Sequence, residues 1–114
     1  MLKLRVMTIS DSTVVALEDN SNEEKKIAGF SLNNNFQFSH EQKEGLTKFF
    51  SEAFVKEDLT VTITAIGVDL ISSDVDLGLH QCITSVIFGD DDSCEPLSFT
   101  LDRCDIKKIA SLFV

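Results

Sequence analysis

The chain has 114 residues, 43% of them hydrophobic, which is enough apolar surface for the core of one domain spanning residues 1–114. Nineteen acidic and ten basic residues give a net charge of −9, which disfavours direct nucleic-acid binding because phosphates would be repelled. No apolar run approaches the roughly 18 residues of a membrane span, and three cysteines without CxxC spacing are typical of a reducing compartment. We therefore expect a cytoplasmic protein that contacts no membrane.

Three strands are predicted in the first third of the chain. Apolar residues alternate with basic ones at the start, which is the period-two pattern of a half-buried strand over 2–9. A polar turn separates it from a second strand over 13–18, so the two are expected to form a hairpin. A third strand fits 25–32, before the asparagine-rich break at 33–35.

A long helix is predicted over 40–57. Ser39 followed three residues later by Gln42 is the signature of a capping box. Gly45 lies inside this helix, and we interpret it as a point of close packing against the sheet. The apolar residues recur with helical spacing, so their stripe is expected to face the core; they are Leu46, Phe49, Phe50, Ala53 and Phe54.

The second half of the chain repeats the order of strands followed by a helix. Alternating apolar residues and threonines predict a strand from 59 to about 71, with a β-bulge at the Ile-Gly-Val step inside it. The segment 76–88 has apolar residues on both faces, which favours a long central strand. A last strand over 97–101 leads to a closing helix over 103–113, for which Asp102 is the predicted cap.

These elements predict an α+β fold. We expect an antiparallel sheet of about six strands in βββα-βββα order, with both helices packed on one face. The nine Phe residues, in a chain without Trp or Tyr, are expected mostly in the core. The other face of the sheet is then open, and together with the acidic loops it is the candidate binding surface.

Charge is distributed unevenly along the chain. Residues 1–56 hold eight acids and seven bases, whereas residues 57–102 hold ten acids and no Lys or Arg. Unless basic side chains from the first half of the chain lie beside it in the fold, this segment produces a negative field that steers cationic partners toward it. The alternative is that its acidic loops only keep the protein soluble. The predicted partner-binding residues are Asp69, Asp74, Asp76, Asp90, Asp91, Asp92 and Glu95.

No catalytic, cofactor or metal site is predicted. His40 and His80 have no Cys or second His at metal-ligand spacing, so both are interpreted as structural. His80 and Cys82 share one predicted strand face, but no third group is evident that would orient them as a catalytic pair. The chain has no EF-hand, GxSxG, phosphate-binding glycine loop or HExxH. We expect a binding protein and no enzyme; a Cys94–Cys104 disulfide stays open.

In size, acidity and α+β character the chain resembles the small acidic immunity proteins of bacterial toxin–immunity pairs, including those of contact-dependent growth inhibition. The resemblance implies a protein that binds a basic partner, a nuclease toxin domain, and inhibits it by occlusion. We expect a monomer in a 1:1 complex rather than a homo-oligomer. The predicted binding residues come from the charge argument and not from this resemblance.

Two other functions stay open at this point. A secretion-type chaperone would need a dimer and an exposed apolar groove. A phage-encoded DNA mimic or host-protein inhibitor would space its carboxylates along a face like successive phosphates.

Overall fold

The computed structural model describes residues 1–21, 25–73, 75–78, 82–88 and 95–114, with 75–78 described for the backbone alone. In this part of the chain eight strands and two helices follow one another. They are β1 (Leu2–Ile9), β2 (Ser12–Asp19), β3 (Lys26–Asn33), α1 (His40–Lys56), β4 (Leu59–Thr64), β5 (Gly67–Ser72), β6 (Val75–Gly78), β7 (Ile83–Phe88), β8 (Leu97–Leu101) and α2 (Arg103–Phe113).

The strands form two antiparallel sheets. The first has the order β1-β2-β3-β7 and the second β6-β5-β4-β8. The α+β class, the antiparallel pairing and the succession of strands, helix, strands and helix are therefore confirmed. The helices contact each other, and α1 contacts β5 while α2 contacts β8, so both lie against the second sheet. The expectation of about six strands in one sheet is corrected to eight strands in two sheets, because two predicted strands each divide in two.

The first of these is the segment from 59 to 71, which is a hairpin of β4 and β5. Thr64 pairs with Gly67, and the two residues between them form the turn, with Ile66 83% exposed at its tip. Gly67 has a φ of 156°, a conformation that side-chain-bearing residues rarely adopt. The predicted β-bulge is therefore a complete reversal of the chain.

The second is the segment from 76 to 88, which supplies β6 to one sheet and β7 to the other. β6 pairs with β5, and β7 pairs with β3, where the register shifts at Ser31 and Leu32. The two strands were predicted as one because apolar residues lie on both sides of this segment. The structure explains that pattern by giving the segment two different sheets to pack in.

The core is a single cluster of buried side chains that includes residues of both sheets and both helices. Phe30 of the first sheet and Phe99 of the second are fully buried within it. Aromatic contacts extend the cluster to the helices: the Phe50 ring stacks on the Phe113 ring at a centroid distance of 5.9 Å, and Phe38 meets Phe113 edge-on at 6.2 Å. The expectation that Phe residues serve the core is confirmed for these residues.

Both helices begin as their sequences predict. The Ser39 hydroxyl oxygen accepts a hydrogen bond from the Gln42 N–H at 3.2 Å, and the Gln42 side-chain oxygen accepts one from the Ser39 N–H at 2.9 Å. The Asp102 carboxylate accepts a hydrogen bond from the Asp105 N–H at 2.9 Å. These bonds satisfy backbone donors that a helix start leaves unpaired. Gly45, however, is exposed, and a methyl group there would meet no atom within 4 Å, so the interpretation of close packing is wrong.

Candidate partner-binding surface

The second sheet has one buried face and one accessible face, and the side chains of strand β4 identify the two faces. Leu59, Val61 and Ile63 are fully buried, whereas the threonines that alternate with them are half-buried. The predicted orientation of this alternation is confirmed. Residues paired across antiparallel strands share a face, so the register extends the threonine side across the sheet.

Two cross-strand rows make up most of this accessible face. In one row Thr62 lies between Asp69 of β5 and Ser98 of β8, and its hydroxyl is 3.0 Å from the Ser98 hydroxyl. In the other row Thr60 lies between Ile71 and Thr100. We call this surface the hydroxyl face and define it as Thr60, Thr62, Thr64, Asp69, Ile71, Ser98 and Thr100.

The structure places three of the predicted partner-binding acids on or beside the hydroxyl face. Asp69 is part of it and is half-buried. Asp76 lies opposite Ile71 in the register of β5 and β6. Glu95 is exposed and precedes β8 by two residues, near the end of the sheet at which β4 turns into β5. The other predicted residues, Asp74, Asp90, Asp91 and Asp92, lie outside the described residues.

Three further acids of the base-free segment have structural partners. The Glu57 carboxylate lies 2.5 Å from the Arg103 guanidinium, and Glu57 itself ends α1 in a left-handed conformation. The Asp58 carboxylate accepts hydrogen bonds from the N–H and the hydroxyl of Ser73 at 2.6 and 2.7 Å, which stabilises the turn after β5. Asp102 caps α2. Only the last of these roles was predicted, because the other two depend on contacts between separate elements.

Basic side chains are concentrated away from the hydroxyl face of the second sheet. The two helices carry six of the ten, and Arg103 and Lys107 both lie over the Phe54 ring, 5.7 and 5.1 Å from its centre. Lys26, on strand β3 of the first sheet, reaches the second sheet: its ammonium group is 3.5 Å from the Ser98 carbonyl oxygen. It touches the edge strand β8, and the strands of the second sheet themselves contain no Lys or Arg.

Among the described residues, the side chains of Cys82, Cys104 and His40 form no common cluster for catalysis or metal binding. The Cys82 thiol is buried, and that burial raises its pKa, so the neutral thiol is favoured. His40 is exposed and lies 2.9 Å from the Glu44 carboxylate on the next turn of α1. Cys104 is an exposed free cysteine, while His80 and Cys94, the other members of the two predicted pairs, lie outside the described residues. Within the described part of the chain no three metal-ligating residues cluster.

A cavity of about 140 Å³ lies between the first sheet and the end of α2. Phe36, Phe38 and Phe113 line its apolar side, with Cys82 at the wall. Its polar side has the Thr13 hydroxyl, which is bonded at 2.6 Å to the Asn34 side-chain oxygen.

Comparison with protein-family models, with curated protein sequences and with solved structures found no match to this chain. Neither of the two helices in the described part has the length and apolar character needed to cross a lipid bilayer.

Proposed function

We propose that this protein is an inhibitor of the immunity type, which binds a cationic, nuclease-type toxin through the hydroxyl face and the acidic residues beside it. The observation that carries the proposal is the charge of the second sheet. Its strands hold acids and hydroxyls but no Lys or Arg, while the helices hold six of the ten bases. A nuclease surface must be basic to hold a phosphate backbone, so its field complements this side of the molecule.

The chemistry of the hydroxyl face suits a basic partner at close range as well. Carboxylate and hydroxyl oxygens accept hydrogen bonds from guanidinium and ammonium groups. Asp69 and Ser98 lie on opposite sides of Thr62, so three acceptors form a row across the sheet. The inhibition we propose is steric and electrostatic occlusion of the toxin, with no reaction performed on it. Close charge pairs in such complexes couple by about 1.5–7 kcal/mol.

The experiment uses the tagged full-length chain to capture its partner from a nuclease-treated lysate of the native cells, with washes at low and high salt. A face variant, Asp69→Asn with Glu95→Gln, is compared with a control, Glu41→Gln with Glu52→Gln, which removes the same charge from exposed positions on α1. Thermal unfolding of both variants checks that each is folded.

We expect the wild type and the control to retain one stoichiometric basic protein at low salt and the face variant to retain much less. The captured protein should cleave nucleic acid, and the wild type added back should block that activity. Recovery of no basic protein by the wild type, or equal loss in both variants, would contradict the proposal.

A further inference from the structure

Strand β1 is an edge of the first sheet: in the described part of the chain no strand is hydrogen-bonded to its second side, although β8 of the second sheet lies close to β1. It pairs with β2 over all eight of its residues without a shift in register. A long, regular edge strand presents unpaired backbone groups that can accept a further strand, and natural proteins normally block such edges with charges, proline or bulges.

The backbone groups on the free side of β1 are identified by the hydrogen bonds of β2. The Asp11 carbonyl, just before β2, accepts a hydrogen bond from the Asn34 N–H, just after β3, at 2.8 Å. Because the backbone groups of a strand point alternately to its two neighbours, the odd-numbered residues of β2 bond to β3 and its even-numbered residues bond to β1. Their partners on β1 are its odd-numbered residues. The N–H and C=O groups of Leu2, Leu4, Val6 and Thr8 therefore point away from β2.

The second half of β1 has no feature that blocks this edge. Val6, Met7 and Ile9 are 42%, 43% and 58% exposed, and residues 6–9 include no charge and no proline. The only charged residues of the strand, Lys3 and Arg5, lie in its first half. The edge thus has a cationic end and an apolar end.

We propose that β1 binds β1 of a second copy of this chain, antiparallel and about a twofold axis at Val6. Val6 then faces Val6, and Leu4 faces Thr8 of the second copy. By symmetry, Thr8 also faces Leu4 of the second copy, which makes three pairs. All of these residues have their free backbone groups on this side, so each pair exchanges two hydrogen bonds, about six in total. The two four-stranded first sheets become one continuous sheet.

Charge selects this register among those that the free backbone groups allow. An axis at Arg5 sets the two Arg5 side chains against each other, and an axis at Leu4 sets Lys3 against Arg5; like charges in directly opposite positions are destabilising. An axis at Met7 avoids that repulsion but leaves about four hydrogen bonds. With the axis at Val6, Arg5 faces Met7 of the second copy.

The same register makes the ends of the strands complementary. Lys3 faces Ile9 of the second copy, and Asp11 lies two residues beyond Ile9 in the following turn, at the diagonal position. Each copy contributes both partners, as a twofold interface requires. A strand of the basic partner would meet Lys3 and Arg5 unfavourably, which argues for a second copy at this edge. The proposal replaces the expectation of a monomer.

The test is sedimentation equilibrium of the full chain over a roughly hundredfold range of concentration. We expect the mass to rise from 12.6 kDa toward twice that value. Val6→Lys sets two ammonium groups face to face on the axis and should raise the dimer dissociation constant about tenfold or more. The matched control is Val55→Lys, an equal change at an exposed valine of α1, which should leave dimerisation unchanged.

A charge exchange tests the register itself. Lys3→Glu alone and Asp11→Lys alone should each weaken the dimer, and the double variant should recover it. Circular dichroism of each variant confirms that it is folded. A mass of 12.6 kDa at every concentration would overturn the proposal. A dimer that Val6→Lys weakens no more than Val55→Lys would overturn it as well.

Discussion

Two glycines, Gly29 and Gly45, have opposite surroundings. A methyl group on Gly29 would lie 2.6 Å from the Val15 carbonyl oxygen on the neighbouring strand, and backbone at the centre of a sheet cannot easily move. We expect Gly29→Ala to lower the free energy of unfolding by about 1–3 kcal/mol. Gly45→Ala meets no atom within 4 Å, so it should raise that free energy by about 1 kcal/mol through helix propensity. Urea unfolding measures both; changes of the same sign would contradict these predictions.

Asp105 connects stability to pH. It is buried in the first turn of α2, and burial together with the charge of Asp102 raises the pKa of its carboxyl group. The folded state therefore binds this proton more tightly than the unfolded state, so the contribution of Asp105 to stability falls as pH rises through the raised pKa. We expect Asp105→Asn to be more stable than the wild type at pH 7.

The dependence of stability on pH tests whether the raised pKa of Asp105 is the cause of this difference. The advantage of Asp105→Asn should shrink as pH falls toward the ordinary Asp pKa of 3.8, because the wild-type carboxyl then becomes neutral. Urea unfolding of both proteins at several pH values between 3.8 and 7 measures the difference in their free energies of unfolding. An asparagine variant that is less stable at every pH would show that the negative charge stabilises the helix start more than its burial destabilises it.

At the scale of elements, the capping box of α1 is a local unit whose contribution is measurable. Ser39→Ala removes the bond to the Gln42 N–H and should lower the free energy of unfolding by about 1 kcal/mol. Ser51→Ala changes the same residue type at an exposed position inside α1, where alanine has the higher helix propensity, and should not destabilise the protein. Equal destabilisation by the two substitutions in urea would contradict a specific role for the cap.

The same locality explains which elements the sequence predicts well. The strands β1, β2, β3 and β8 and both helices lie within one or two residues of their predicted limits, because alternation and capping depend on nearby residues. The hairpin of β4 and β5 was missed because its two turn residues are Ala65 and Ile66, neither of which is a turn former. The division of β6 from β7 depends on which sheet each strand joins, which no local pattern indicates.

The candidate site was predictable in part for the same reason. Alternation alone predicts that Thr60, Thr62 and Thr64 share the accessible face of their strand. The row formed by Thr62 with Asp69 and Ser98 depends on strand register between residues far apart in sequence. Charge counting also included Asp58, whose carboxylate instead binds the turn at Ser73. Composition therefore indicated the region, and tertiary contacts determine which acids are available.

At the scale of the whole molecule, the central feature is that the strands of the second sheet hold acids but no Lys or Arg, whereas the helices carry six of the ten bases. An acidic region without intervening bases accelerates the encounter with a cationic partner, and salt screens that acceleration. Burial of the hydroxyl face in a complex would act mainly on dissociation, whereas the surrounding charge acts on association. The uneven distribution of charge should therefore affect mainly the association rate constant.

The most direct measurement is the association rate constant of the purified protein with its captured partner, followed across a range of ionic strength. We predict a steep fall with salt for the wild type and for the control Glu41→Gln with Glu52→Gln. The face variant, Asp69→Asn with Glu95→Gln, which removes the same charge as the control, should associate more slowly at low salt and show a flatter dependence on salt. A wild-type rate that does not depend on ionic strength would contradict the account, because the acidic segment would then serve solubility alone.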